Sequence, residues 1–114
     1  MKYSVIKQGG RTVIAMAHVP ALPGSPDYKL HEGMQKLHDW VGRDIEALQS
    51  GGVDAIMFGN EFDRPYVLKA PPEGLAALTV VVTEAKKSLN VPFGVNYLWD
   101  PVATVALASA TGAS

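Results

Sequence analysis

Three short apolar runs, each followed by polar residues and then by a helical pattern, organise the chain. The runs occupy residues 12–17, 53–59 and 92–95. They lead into His18, Asn60-Glu61 and Asn96. The first run does not alternate apolar and polar residues, so it predicts a strand buried on both faces, as in a parallel sheet. The run at 53–59 is apolar apart from Asp54 and predicts a second strand, and the run at 92–95 predicts a third.

Helical periodicity follows each predicted strand. Residues 31–49 and 72–89 each carry apolar side chains three and four positions apart, and residues 102–110 form a shorter helical segment. Gly51-Gly52 and Gly112 are placed to end helices by positive φ, and Asn90 is expected to take a left-handed cap. Lys86 and Lys87 are expected to complement a helix dipole. The apolar positions of the two longer helices are Met34, Leu37, Val41, Ile45, Leu48, and Leu75, Leu78, Val82, Ala85, Leu89.

The regular order of strand and helix predicts an α/β fold with right-handed crossovers. A (β/α)8 barrel and an open doubly wound sheet share this order. No G-x-G-x-x-G or P-loop motif follows the first strand, so the barrel is favoured. Three units fall short of the eight that a barrel needs. Residues 1–114 are therefore expected to be a single partial domain, the N-terminal part of a barrel, and a compact three-stranded domain is the alternative. Open strand edges also make self-association an expectation.

Composition narrows the functional classes. The net charge is −1 with both signs spread along the chain, which does not favour nucleic acid as a partner. The chain has no cysteine, which fits a reducing compartment. The first residues, a polar lead-in with a turn at Gly9-Gly10, lack the apolar core of a signal peptide, and no window is apolar enough for a membrane helix. A soluble cytoplasmic protein without membrane insertion is expected.

Ligand sites of parallel α/β folds lie beyond the carboxyl ends of the strands, which makes the polar residues there the candidates. Glu61 is the leading acid–base candidate, since a carboxylate at a strand end is costly to desolvate without a role. His18 is a candidate base, or alternatively holds the proline-rich loop that follows it. Asn60, Asn96, Asp63 and Asp100 are the candidate substrate-binding residues.

Several of these residues also have structural interpretations. Asp100-Pro101 has the pattern of a helix start, so an N-cap is favoured for Asp100 over catalysis. Asp63 could instead pair with Arg64 or cap a turn. The spacing of His18, Glu61 and Asp100 is not diagnostic of a metal, so no metal is assigned. The cofactor is also left unassigned.

Three motifs in order resemble the BtpA family. They are residues 13–26, from Val13-Ile14-Ala15 to Gly24-Ser25-Pro26, residues 52–66, which include Phe58-Gly59-Asn60-Glu61-Phe62-Asp63-Arg64-Pro65, and residues 94–101, Gly94-Val95-Asn96-Tyr97-Leu98-Trp99-Asp100-Pro101. The resemblance covers about residues 12–113. It implies a TIM-barrel-like protein more than twice as long as this chain.

The family takes its name from a role in photosystem I assembly or stability, and its SgcQ-like branch is associated with sugar-metabolism gene clusters. Two features of this chain depart from the common family pattern, the order Asn60-Glu61 and the tripeptide Trp99-Asp100-Pro101. Both departures favour the SgcQ-like branch.

The resulting hypothesis is a barrel enzyme acting on a small sugar-related or phosphorylated metabolite. Glu61 or His18 would transfer protons, Asn60 and Asn96 would orient the substrate, and the short chain alone would be inactive. The alternative is a non-catalytic assembly factor of the photosystem I biogenesis type.

Overall fold

Strands and helices alternate through residues 10–114, the part of the chain that the computed structural model describes. Most of the polar lead-in, including Gly9 of the expected Gly9-Gly10 turn, lies outside these residues. Two short 3-10 turns, Leu30–Glu32 and Lys86–Ser88, border the longer helices. The elements in order are β1 (Ile14–His18), α1 (Gly33–Ser50), β2 (Ala55–Gly59), α2 (Pro72–Ala85), β3 (Phe93–Asn96) and α3 (Pro101–Thr111).

The three strands form one parallel sheet in the order β1-β2-β3. The parallel α/β fold expected from the sequence is therefore confirmed. In this register His18 pairs with Gly59, and Gly59 pairs with Asn96. The carboxyl ends of all three strands consequently meet at one edge of the sheet.

The two faces of the sheet differ in what covers them. Helix α1 contacts α2 and α2 contacts α3, so the three helices form one layer over what we call the helix face. Ile56, Phe58 and Val95 are buried beneath that layer and form much of the core. On the opposite side, the open face, Ile14 and Met16 of β1 are 53% and 40% exposed. The expectation that β1 is buried on both faces is therefore wrong, because no described element packs over its open side.

Helix α1 follows the periodicity of its sequence. Leu37, Val41 and Ile45 are buried in the core, and Met34 and Leu48 pack against it from the edges. These positions recur every three or four residues, which places them along one side of a helix. The helix ends where Gly52 adopts a φ of 83°, a conformation that glycine takes without steric cost.

Helix α2 ends earlier than its sequence pattern suggests. The α-helical part stops at Ala85, and Leu89 is already extended, with φ −89° and ψ 135°. Asn90 does not take the expected left-handed cap, since no non-glycine residue of the described chain has positive φ. Its backbone N–H instead donates to Gln49 Oε1 of α1 at 2.6 Å. Lys86 Nζ donates to the Thr111 carbonyl at 2.9 Å, so its charge lies at the end of α3.

Two helical glycines are expected to respond in opposite ways to alanine. A Cβ on Gly42 would meet nothing within 4 Å, so Gly42→Ala should raise the free energy of unfolding by about 0.5–1 kcal/mol. A Cβ on Gly74 would lie 2.3 Å from the hydroxyl of Tyr97, which is only 2% exposed. Gly74→Ala should therefore cost about 1–3 kcal/mol. Urea denaturation of both variants provides the measurement, and an equal gain at the two positions would contradict the close packing of Tyr97 on α2.

Among the residues that the structure describes, no helix combines the length and apolar character needed to cross a membrane.

Candidate functional site

The strand register places three of the residues singled out in the sequence in one row on the open face. His18, Gly59 and Asn96 are direct partners across the three strands. Paired residues of neighbouring strands point to the same side of a sheet, and Phe58, the neighbour of Gly59, points to the helix face. The side chains of His18 and Asn96 therefore project from the open face on either side of Gly59.

The Glu61 carboxylate fills the gap in this row. A Cβ on Gly59 would lie 2.4 Å from Glu61 Oε1 and 2.7 Å from Oε2, so the carboxylate occupies the space where other residues carry a side chain. The Oε2 atom is buried and has no hydrogen-bond partner within residues 10–114. The open face thus presents an imidazole, a carboxylate and an amide in sequence along one edge.

Aromatic residues hold the backbone around this row. The Tyr66 hydroxyl donates to the Glu61 carbonyl, and the Tyr66 ring packs against Trp99 with centroids 5.2 Å apart. The His18 ring meets Phe62 edge-on at 6.1 Å. The Glu61 carbonyl and the neighbouring Phe62 ring are therefore both held by side chains around the row, which restricts the positions open to the Glu61 carboxylate.

Asn60 and Asp63 form a separate network that joins the three loops following the strands. Asn60 is 1% exposed, its Oδ1 accepts from the Leu98 N–H at 2.7 Å, and its Nδ2 donates to Asp63 Oδ2 at 3.2 Å. Asp63 Oδ1 accepts from the Leu22 N–H at 2.7 Å. Leu22 follows β1, Asn60 and Asp63 follow β2, and Leu98 follows β3. One amide–carboxylate pair therefore links all three loops.

Burial raises the pKa of the Asp63 carboxyl above its ordinary value. Desolvation disfavours the charged carboxylate and raises the pKa. The hydrogen bonds from Leu22 and Asn60 lower it in part, and the nearby Ser25 hydroxyl lowers it by a smaller amount. Asp63 accepts bonds from two neighbours rather than forming the pair with Arg64 that the sequence left open.

Asp100 joins the second and third units. Its Oδ1 accepts from the Ala103 N–H at 3.0 Å as the N-cap of α3, which confirms the helix start expected from Asp100-Pro101. Its Oδ2 accepts from the Ala70 N–H at 2.8 Å, just before α2. Both oxygens are thus engaged by backbone donors. These bonds, first that of Ala70 and then that of Ala103, lower the pKa of Asp100.

We expect Asp100→Asn to reduce the acid sensitivity of the fold. A carboxyl whose pKa is lower in the folded chain stabilises it above the unfolded value near 3.8, and that contribution is lost as pH falls through the folded pKa. Asparagine still caps α3, but its Nδ2 cannot accept from Ala70. The variant should melt roughly 5 °C lower at pH 7, and the difference should shrink below about pH 4.

Thermal melts between pH 2 and pH 7 measure this difference, with exposed Asp27→Asn as the control. A difference between wild type and Asp100→Asn that stays constant over this range would contradict the expected role of the ionised carboxylate.

The candidate residues thus separate into three places. His18, Glu61 and Asn96 come together on the open face, Asn60 and Asp63 lie in the loop network, and Asp100 lies between α2 and α3. Among the described residues, no group of three or more His, Asp or Glu side chains is arranged to hold a metal ion.

Two contributors to the row were not identified from the sequence. Gly59 supplies the space for the carboxylate, and Tyr66 holds the backbone of Glu61. The signal for Gly59 was present, since a glycine as the last residue of a strand, two positions before a carboxylate, leaves a gap on the face where that carboxylate can lie. Nothing in the linear pattern singles out Tyr66.

The fold and the row together define a class of protein: consecutive parallel β/α units with an imidazole, a carboxylate and an amide at the carboxyl ends of the strands. The BtpA family model matches residues 9–114, and the chain belongs to the BtpA family.

Individual relatives show the same relationship. The chain is 50% identical over 103 residues to SgcQ, a protein of Escherichia coli (strain K12) named for the sgc region, covering 90% of this chain and 38% of that protein. It is 36% identical over 104 residues to an uncharacterised protein of Archaeoglobus fulgidus, covering 90% and 41%. It is 30% identical over 103 residues to the photosystem I biogenesis protein BtpA of Synechocystis (strain PCC 6803), covering 89% and 35%.

The chain therefore spans about two fifths of the length of these relatives. No solved structure matches it significantly.

Proposed function

We propose that the three units belong to a (β/α)8 barrel and that residues 1–114 form part of that single domain. The strand order runs without reversal, and all three helices lie on one face. After α3 the chain returns to the free edge of β3, where the Ser114 N–H donates to the Phe93 carbonyl at 2.9 Å. In the doubly wound order 3-2-1-4-5-6 the fourth strand would lie next to β1 instead. This hydrogen bond therefore supports the barrel.

We further propose that the complete barrel is an enzyme that moves a proton on a small polar metabolite. The observation that carries this proposal is the buried Oε2 atom of Glu61, which has no hydrogen-bond donor among the residues that the structure describes. A buried polar oxygen without a partner is costly, and a substrate O–H or acidic C–H at this position would meet it. The location also fits, since barrel active sites lie at the carboxyl ends of the strands.

Each residue of the row has a role in this proposal. Glu61 is the general base that takes a proton from the substrate. His18 transfers a proton to or from a second atom of the substrate, or to or from solvent. The Asn96 amide both donates and accepts hydrogen bonds and orients the substrate oxygen. Asn60, Asp63 and Asp100 fix the loops around the row rather than facing it.

The proposed substrate is a sugar or sugar phosphate, and the proposed location is the cytoplasm. A polar row on an otherwise apolar open face suits a small molecule with several hydroxyl groups. The resemblance to the SgcQ-like branch, which is associated with sugar-metabolism gene clusters, supports a sugar-related metabolite.

Glu61→Gln should abolish proton transfer without weakening the fold. Because the relatives are longer than this chain, activity is tested in a chimera in which residues 10–114 replace the matching segment of the E. coli relative. The chimera is incubated in D2O with a panel of aldose and ketose phosphates and their parent sugars, and deuterium entering C–H positions is followed by NMR. Glu61→Gln should lower the exchange rate at least about 100-fold, since glutamine cannot accept the proton.

Glu46→Gln, an exposed change on α1, is the matched control and should exchange at the rate of the unaltered chimera. The melting temperature of Glu61→Gln should stay unchanged. Undiminished exchange in Glu61→Gln, or no exchange with any member of the panel, would refute the proton-transfer proposal.

A non-catalytic assembly factor is the second candidate function. Its support is the 30% identity to the photosystem I biogenesis protein of Synechocystis. Expressing a chimera of this chain with that relative in a Synechocystis strain that lacks the relative would decide between the two. The assembly-factor proposal requires restored photosystem I levels even when Glu61 is replaced by glutamine.

We also propose that the isolated chain self-associates through its sheet. The open face of β1 exposes Ile14 and Met16, and β1 has no neighbour on its outer edge among the described residues. Light scattering coupled to size exclusion should give a mass above 12.1 kDa, the mass of one chain. A monodisperse monomer with a cooperative melt would favour the compact three-stranded domain.

A further inference from the structure

A cleft of about 210 Å³ lies among the loops that follow the three strands, and its lining does not include His18, Glu61 or Asn96. Tyr97 forms one wall, and its hydroxyl lies against Gly74 of α2. Four prolines from the loops after β1 and β2 contribute to the other walls. The lining residues are Pro23, Gly24, Ser25, Pro26, Asn60, Asp63, Pro65, Val67, Pro71, Tyr97 and Leu98.

Unused hydrogen-bonding capacity faces this cleft. Ser25 Oγ is buried and meets no partner with good hydrogen-bond geometry in the described part of the chain, although it lies close enough to Asp63 to lower the pKa of that carboxyl. Asp63 Oδ2 accepts one bond, from Asn60 at 3.2 Å, and a carboxylate oxygen can accept a second. A hydroxyl donor and a carboxylate acceptor therefore lie side by side without fully satisfying each other.

The charge of the cleft selects against anions. Among the described residues, no lysine, arginine or histidine lines the cleft, and one carboxyl, that of Asp63, does. Burial, together with Asp63, Glu73 and Asp100, raises the pKa of Tyr97 to about 12, so negative charge is costly here. Phosphate and carboxylate groups would meet repulsion without a compensating cation.

We propose that this cleft binds a small neutral polyol. A ligand hydroxyl accepts a hydrogen bond from Ser25 and donates one to Asp63, a pairing that neither an anion nor an ammonium group completes. The proline walls and Leu98 contact the carbon backbone of the ligand. The cleft has many times the volume that one water molecule needs, which leaves room for a chain of about four carbons.

This proposal goes beyond the proposed function and does not rest on it. The cleft and the row of His18, Glu61 and Asn96 lie near the same ends of the strands but share no residue. An experiment that refutes polyol binding therefore leaves the proton-transfer proposal intact, and an experiment that refutes proton transfer leaves the polyol proposal intact.

The test is an NMR titration of the ¹⁵N-labelled 114-residue chain with erythritol. Saturable shifts are expected at Ser25, Asp63 and Tyr97, with none at Trp40 of α1, which does not line the cleft. Ser25→Ala should weaken erythritol binding at least about fivefold. Tyr97→Phe keeps the buried ring but removes the Tyr97 hydroxyl, a second hydroxyl in the cleft wall, and should also weaken erythritol binding. Ser88→Ala, an exposed change, is the control and should bind like wild type.

Butylammonium and inorganic phosphate serve as probes of the competing ligand classes. Tighter binding of either one than of erythritol would overturn the assignment to a neutral polyol. Shifts that rise linearly without saturation, or Ser25→Ala binding with unchanged affinity, would overturn the site itself. Well-dispersed spectra of both variants ensure that a loss of binding does not reflect a loss of fold.

Discussion

Replacing Asn60 with alanine should lower the free energy of unfolding by about 2–3 kcal/mol. The change removes the acceptor of the Leu98 N–H and the Nδ2 donor to Asp63, at a position that is 1% exposed. Each buried polar group left without a partner lowers the free energy of unfolding by about 1–3 kcal/mol, which is more than the net contribution of one hydrogen bond to stability. Urea denaturation followed by tryptophan fluorescence measures the loss.

Gln35→Ala is the matched control for this prediction. Gln35 Nε2 donates to Asp39 Oδ1 at 2.9 Å, also an amide-to-carboxylate bond, but on the exposed surface of α1. Its loss should cost about 0.2–0.5 kcal/mol, since water replaces the partner. If Asn60→Ala cost no more than Gln35→Ala, the amide would not be joining the three loops in solution.

Gly59→Ala should disable proton transfer while leaving the fold intact. The new Cβ would lie 2.4 Å from Glu61 Oε1, so the carboxylate must leave its position over β2. Because the displaced atoms are the end of a flexible side chain, the cost in unfolding free energy should remain below about 1 kcal/mol. Loss of a positioned general base lowers a rate by about 100-fold or more, and the same deuterium-exchange assay in the chimera measures it.

Gly94→Ala provides the comparison on the neighbouring strand. A Cβ there would lie 3.5 Å from the Met57 Cε, an ordinary contact, so exchange should be unaffected. The carboxyl ¹³C shift of Glu61 should move in Gly59→Ala and stay in place in Gly94→Ala, which tests the displacement without relying on activity. An unmoved Glu61 resonance in Gly59→Ala would contradict the position described for the carboxylate.

Most of the fold was predictable because it follows from periodicity. The apolar runs and the three-and-four spacing mark where strands and helices lie, and Asp100-Pro101 marks the start of α3. The end of α2 was not predictable in this way. Asn90 binds the Gln49 side chain of α1, a tertiary contact that the local sequence does not encode.

The location of the site could be predicted from the sequence, but the direction in which each of its side chains points could not. Parallel strands bring their carboxyl ends together, which is enough to place His18, Glu61 and Asn96 near one another. Whether a loop residue faces the open side or the helix side depends on register and on partners far away in the sequence. Asn60 and Glu61 are adjacent in the chain, yet one lies in the buried loop network and the other over Gly59.

The polar contacts between the loops join residues far apart in the chain. Leu22 and Asp63 are separated by 41 positions, Asn60 and Leu98 by 38, and Ala70 and Asp100 by 30. Each bond therefore forms only after two consecutive units have docked. Closing such long loops costs conformational entropy before the hydrogen bond can stabilise the chain. These contacts should form after the folding transition state, so that weakening them accelerates unfolding and leaves the folding rate nearly unchanged.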